Sequence, residues 1–276
     1  ASDPTSVFSG FRCNRSEVSA SSATLLLLTQ NLVVLHRPVE STVDFCPSRQ
    51  AENGQKQTMD TSCVMAKNAL KSLASFAGIV SVQEAISLLN PSRLWTRSEV
   101  LSRPCPVPRE PGVYAWYFRC IPPGVPTSGC HTYQDLTLLY TGISPRHPPA
   151  NGQPPSKQSL LHRVRYHFRG NAEGSTLRLT LGCLLAEELG IELRRVGSGF
   201  RMTFSSGEMR LSEWLEENAF VTWCPHPAPW VLEEHMICTF SLPLNLDQNR
   251  RHAFHQTLSE VRRTAKAKAR ELPIIR

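Results

Sequence analysis

The sequence predicts a mixed α/β chain of the α+β kind: a small antiparallel central β-sheet flanked by helices, with helical extensions towards both ends. Three observations carry this. Residues 113–118 alternate Tyr114, Trp116 and Phe118 with Val113, Ala115 and Tyr117, so both faces are apolar, as in a strand covered on both sides. A second apolar run, 136–143, follows after one loop and suits an antiparallel partner. Several later segments keep a helical spacing and carry capping residues at their ends.

Residues 1–58 are rich in Ser, Thr, Asn and Gln with little periodicity, and are expected to be poorly structured or a non-native upstream segment, with Met59 or Met65 as a natural start. From 59 to 104 a helical element and linker are expected. Leu70, Leu73, Phe76 and Ala77, then Val82, Ala85, Ile86 and Leu89, hold helical spacing around a break at Gly78. Pro104-Cys105-Pro106-Val107-Pro108 is an extended lead-in that excludes helix.

The working domain is then expected over 105–250. Its strands are joined by a long loop, 119–135, and a proline-rich loop spans 144–156. Residues 158–169 read as a helix. A second helix is predicted over 176–189, with Ser175 as N-cap and Gly190 past its end. Further strands are expected at 201–204 and 220–223, separated by a short helix entered at Ser212. Pro229 opens the next helix, since proline is tolerated in a first turn. The segment 251–276 closes the chain with a basic helix over 253–270.

Charge and cysteine usage narrow the function classes. The formal net charge is +7 over 276 residues. The stretch 250–276 holds eight Lys/Arg against Glu260 and Glu271, so most of the basic balance is local and points to a polyanionic partner. Nine cysteines without a Cys-x-x-Cys pair argue against a disulfide framework and a zinc ribbon, and make a reducing cytoplasm the simplest compartment. Cys120 and Cys130-His131 flank a Pro/Gly-rich loop without a fourth ligand and read as free thiols. The apolar run 23–35 is interrupted at Thr29-Gln30-Asn31, so no membrane span is expected.

Two helices carry residues whose placement suggests chemistry. At 100° per residue, Trp230, Met236, Ile237 and Phe240 fall within about 60° of Glu233. A carboxylate on an apolar face needs a cation or a donor, and the wheel leaves a salt bridge to a buried arginine and metal ligation equally open. Glu234 points to the edge. On the earlier helix, Arg163 and His167 lie about 40° apart beside a stripe of Leu161, Val164 and Phe168. The stripe is expected to pack on the sheet while Arg163 and His167 look along its edge. A guanidinium there suits phosphate and a histidine one turn away suits proton transfer, although spacing alone favours a solvated basic set with Arg165 and Arg169.

Gly112-Val113-Tyr114, Leu139-Tyr140-Thr141-Gly142-Ile143, the Arg163-x-x-x-His167 helix, and Leu232-Glu233 through Met236-Ile237 to Pro243 and Asn245 occur in one order. In that order they resemble the GIY-YIG nucleases, and more closely the larger stand-alone bacterial branch. The resemblance covers roughly 105–250. Val113 and Thr141 stand where the motifs carry Ile, and both are β-branched, so strand geometry should survive.

The resemblance implies a metal-dependent endonuclease that hydrolyses DNA phosphodiester bonds, with RNA not excluded as substrate; a non-catalytic nucleic-acid-binding module on the same scaffold is the alternative. It implies that Glu233 holds one Mg²⁺ or Mn²⁺. Tyr114 and Tyr140 would flank the attacking water, Tyr114 as base or relay, with its pKa lowered by the metal or by Arg163. Arg163 would steady the phosphate, His167 would assist proton transfer, and Asn245 would fix the site by hydrogen bonding. Lys157, Arg165, Arg169, Arg178, Arg262, Arg263 and Lys266 are the expected grip on the nucleic-acid backbone. No membrane partner is expected, and the sequence leaves the oligomeric state open.

Overall fold

A computed structural model of the chain describes residues 84–149 and 151–276. The expectations for residues 1–58 and for most of the 66–89 helical region lie outside the described residues.

The framework is a four-stranded antiparallel sheet in the order β2-β3-β1-β6. Strand β1 is Gly112–Phe118, β2 is Thr132–Tyr133, β3 is Leu136–Ser144 and β6 is Ala219–Pro225. β1 lies in the middle, with Tyr114 opposite Gly142 of β3 and Trp223 of β6. Every residue of β1 is buried, and the alternation read from the sequence sorts its side chains cleanly. Tyr114, Trp116 and Phe118 enter one core cluster, and Val113, Ala115 and Tyr117 enter the other. The predicted antiparallel sheet flanked by helices is therefore the fold observed.

Six helices are named among the described residues: α1 (Arg97–Leu101), α2 (Leu160–Arg169), α3 (Thr176–Leu184), α4 (Gly207–Asn218), α5 (Pro229–Thr239) and α6 (His255–Glu271). Buried residues of α2, α3, α4 and α6 pack with the Tyr114 face, whereas Leu232, Met236 and Ile237 of α5 cover the Val113 face. A helical segment at 84–89 adds Ala85, Leu88 and Leu89 to that second face. There Tyr117 donates from its hydroxyl to the carbonyl of Leu88 at 2.9 Å. The site elements thus approach the sheet from both sides.

Several boundaries differ from expectation for identifiable reasons. The loop 119–135 contains β2, a two-residue strand too short to carry periodicity. α3 does begin after Ser175, whose side chain accepts from the Arg178 N–H, but it stops at Leu184; the chain then turns through to Gly190 at φ 57°. The helix expected to open at Ser212 begins at Gly207. Ser212 sits inside it, where its hydroxyl donates to the Glu208 carbonyl at 2.8 Å and so cannot cap. The expected strand 201–204 is β5 (Arg201–Thr203), paired with an unforeseen β4 (Arg194–Val196) in a separate hairpin. Arg194, Arg195 and Arg201 hid that hairpin, because its six residues show no apolar alternation.

Candidate active site

Tyr114 stands at the centre of the site, and its position is set by what the neighbouring strand lacks. A Cβ at Gly142 would lie 2.6 Å from the Tyr114 hydroxyl oxygen and 2.8 Å from Cζ, inside contact distance. Glycine at the end of the second motif therefore gives the tyrosine of the first its seat. Thr141, the departure from isoleucine, is fully buried and donates from its hydroxyl to the Tyr114 carbonyl at 3.1 Å. The polar atom that threonine introduces is satisfied within the sheet.

Helix α2 lays His167 and Arg163 against this tyrosine. His167 is completely buried rather than looking along an edge. Its ring is surrounded by those of Tyr114, Trp116 and Tyr140, with centroids 5.3, 5.8 and 6.4 Å away. Burial, reinforced by the positive charges of Arg163 and Arg178, holds the imidazole well below its usual pKa, so it is neutral. Nε2 lies 2.9 Å from the Tyr114 hydroxyl and Nδ1 lies 2.7 Å from the Ser175 hydroxyl.

The Ser175 hydroxyl favours one tautomer of this ring. Ser175 Oγ already accepts from the Arg178 N–H, and His167 Nδ1 is the acceptor within reach of its own proton among the described residues. With the Ser175 hydroxyl donating to Nδ1, Nε2 carries the hydrogen and turns it to Tyr114. The guanidinium of Arg163 lies close enough to the same phenol to act on its pKa, and its Nη1 donates to the Gly174 carbonyl at 2.8 Å. One histidine nitrogen and one guanidinium thus lie beside the same phenol.

The expected lowering of the tyrosine pKa is not what this arrangement gives. Burial raises both Tyr114 and Tyr140, and for Tyr114 the field of Tyr140 adds to the rise. Arg163 acts in the lowering direction on both, but desolvation outweighs it. Tyr140 is also held, its hydroxyl lying 3.3 Å from Thr176 Oγ1 at the start of α3.

Glu233 arrives on α5, whose first turn contains Pro229 as expected. It lies at the flank of the Leu232, Met236 and Ile237 face. Its pKa is raised to about 7 by burial, opposed by the Gln248 hydrogen bond and assisted by Asp247. Gln248 Nε2 donates to Glu233 Oε2 at 3.3 Å. No ion pair reaches this carboxylate among the described residues, so the buried-arginine alternative is not the one taken. The charge of Glu233 is felt at both Tyr114 and Tyr140.

Asn245 follows α5 and is buried. Its side-chain oxygen accepts from the Thr141 N–H and its Nδ2 donates to the Thr141 carbonyl, both at 2.9 Å. With Leu244 N–H bonded to the Leu139 carbonyl at 3.1 Å, this segment satisfies the edge of β3 beyond the reach of β2. Thus Tyr114, Tyr140, Arg163, His167 and Glu233 are brought together, and Asn245 braces the strand beneath them. Ser175, which orients His167, was visible in the sequence only as a helix cap.

The basic residues separate into distinct groups. Arg163, Arg165 and Arg169 line an open groove of about 630 Å³ on α2, together with Arg103, His162, Tyr166 and Gly174. Lys157 is exposed just before that helix. Arg262 and Lys266 instead lie close enough to Cys183 of α3 for their charges to be felt there, and exposed Arg263 pairs with Glu260. Arg178 is a correction. It is wholly buried, paired with Glu208 at 2.7 Å, and donates as well to the His167, Phe168 and Glu208 carbonyls and to Ser212. It is a core ion pair that ties α2, α3 and α4 and has no surface to offer a nucleic acid.

Among the described residues no cluster of three or more His, Cys, Asp and Glu could hold a metal, the Cys130-His131 neighbourhood included. No helix among them is long and apolar enough to cross a membrane. Paired tyrosines, a guanidinium, a neutral histidine and a carboxylate without an ion pair thus meet on a small antiparallel sheet. The chain belongs to the family of the GIY-YIG catalytic domain, whose model matches residues 112–264, more than half of its length. No curated protein and no solved structure matches it.

Proposed function

We propose that this protein is a metal-dependent endonuclease that hydrolyses phosphodiester bonds in DNA. The observation that carries the reading is the placement of Arg163 and His167 against Tyr114 within the field of Glu233. Family membership supports a nuclease and implies a nucleic-acid substrate. The basic groove on α2 supports a polyanion lying over the same residues.

The donor set fits a hard divalent cation bound through few protein oxygens. Glu233 is a carboxylate with one neutral hydrogen-bond partner and no cation of its own, and Oε1 is left for a ligand. Glu233 would hold Mg²⁺ or Mn²⁺, which when bound supplies electrophilic polarisation of the phosphate and favours ionisation of water.

The remaining roles fall to side chains. Arg163, held in place by the Gly174 carbonyl, presents its guanidinium to the phosphate and offsets charge as the phosphorus becomes five-coordinate. Tyr114 is the base or relay for the attacking water. To act so, it releases its phenolic proton to bulk water and takes the proton of the attacking water in its place, and the nearby His167 ring and Arg163 charge stabilise the phenolate formed in between. Neutral His167 orients that oxygen from below and is itself fixed by Ser175. Tyr140 borders the water on the other side. Lys157, Arg165 and Arg169 grip the backbone on either side of the scissile phosphate, and Arg262, Arg263 and Lys266 contact it further away.

The test is cleavage of plasmid and oligonucleotide DNA, with RNA in parallel, in Mg²⁺, Mn²⁺ or EDTA. Wild type is expected to cut DNA only with the cation, and Glu233→Ala and Arg163→Ala to bind without cutting. Cation-independent cutting, or variants as active as wild type, would reject the site. Binding without cutting by the wild type would leave a nucleic-acid-binding module.

A further inference from the structure

Phe200 is a large apolar residue that the fold does not use. It is 89% exposed and belongs to neither core cluster. It stands at the end of the β4–β5 turn, where Gly197 and Gly199 take φ values of 61° and 88°. The hairpin beneath it is firmly fixed. Arg194 donates to the Pro273 carbonyl, and Arg195 donates to those of Ala269 and Leu272. The Gly197 N–H donates to Ile275, whose own N–H returns to Arg195. The fold therefore spends a tail and two arginines on holding up a turn whose end residue packs on nothing in its core.

The surroundings of that ring are basic, and they adjoin the site. Arg201, the next residue, is exposed, Ile274, 39% exposed, lies under Gly199, and exposed Arg276 follows the Ile275 that pairs with the hairpin. On the other strand the Met202 N–H donates to Glu173 at 2.8 Å. The next residue, Gly174, supplies the carbonyl that holds Arg163. The anchor of the hairpin and the anchor of the phosphate-binding guanidinium are thus consecutive residues.

We propose that Phe200 stacks on a nucleobase of the substrate, and that the β4–β5 hairpin is a nucleic-acid contact selecting an unpaired stretch beside the cut phosphodiester. This rests on the nuclease reading above. An aromatic ring carried on a fixed hairpin with a basic surface combines base stacking with backbone attraction, the pairing used to hold single strands without sequence preference. Inside a duplex both faces of every base are already stacked, and a ring could enter only by breaking that stack. An unpaired base offers its face at no such cost, so the substrate class is single-stranded, flapped or branched DNA.

Fluorescence anisotropy in EDTA would use the full chain and one labelled oligonucleotide sequence as single strand, blunt duplex and flapped duplex. Phe200→Ala should keep the wild-type melting temperature, because the ring packs on nothing. It should bind the single-stranded and flapped probes roughly tenfold more weakly and the blunt duplex unchanged. Phe200→Trp should restore binding. Binding of every probe by Phe200→Ala as tightly as by wild type overturns the proposal, as does a variant whose only change is in oligomeric state, which would assign the ring to a second copy of the chain. Glu233→Ala separates this inference from the reading beneath it. If Glu233→Ala cuts like wild type, the catalytic site is wrong whatever Phe200 does. If it fails to cut but shows the same preference for unpaired probes, both stand.

Discussion

Tyr114 and His167 share a hydrogen bond of 2.9 Å in which neither partner carries charge. The histidine is too buried to be protonated, so its contribution to the tyrosine is an aimed N–H and not a positive field. Tyr114→Phe should keep the ring seated over Gly142 and lose only the oxygen. We expect single-turnover cleavage to fall about 10²–10⁴-fold with nucleic-acid affinity unchanged. Cleavage by Tyr114→Phe at the wild-type rate would remove it as base or relay.

His167 is reached through Ser175, which also caps α3. Ser175→Ala should cost about 1 kcal/mol in urea unfolding from the lost cap. It should also slow cleavage, since Nδ1 would then be free to take the proton and leave Nε2 without a hydrogen for Tyr114. Ser175→Thr keeps a hydroxyl and should recover most of both. A variant that loses stability at an unchanged cleavage rate would confine Ser175 to capping.

Glu233 gives the protein a pH dependence whose sign follows from its raised pKa. An unfolded glutamate ionises near pH 4.5 and the folded one near pH 7. Between those values the folded chain holds the proton that the unfolded chain has released, so this contribution to stability falls as pH rises. The whole loss is at most about 3 kcal/mol and is complete above the folded pKa. Denaturation of wild type and Glu233→Gln across this range should show the decline only in wild type. Mg²⁺ should stabilise wild type more at about pH 8 than at about pH 5 and leave Glu233→Gln unmoved.

Arg178 predicts a purely structural phenotype. Arg178→Ala strands Glu208 inside the protein and removes donors from two carbonyls at the end of α2. The expected loss is about 3–5 kcal/mol, measured by chemical denaturation. Arg169→Ala, on the groove side of α2, should instead leave stability intact, weaken DNA binding and flatten its salt dependence by about one charge.

What could be read from the sequence was what depends on local period. The two faces of β1, the Ser175 cap, the proline start of α5 and the stranded position of Glu233 all follow from spacing and residue type. Arg178 was misjudged because a guanidinium looks the same in sequence whether it meets solvent or a set of carbonyls and a glutamate from distant segments. His167 was placed at an edge because a helical wheel gives direction but not depth. The expected fall in the Tyr114 pKa failed for a related reason. The charge beside it could be guessed from the motif, whereas the desolvation opposing it comes from the depth at which the fold buries the ring.

The seat of Tyr114 over Gly142 changes how the two short signatures of this family should be weighed. They are usually scored as separate words, yet here one residue of the second is a hole cut to the outline of a residue in the first. Neither can drift alone: any side chain at 142 would strike the ring, and shrinking the ring would open a void above a glycine. Their joint presence in a distant sequence is thus closer to one observation than two. A chain retaining only one of them should be expected to have lost the geometry, and not merely the spelling, of both.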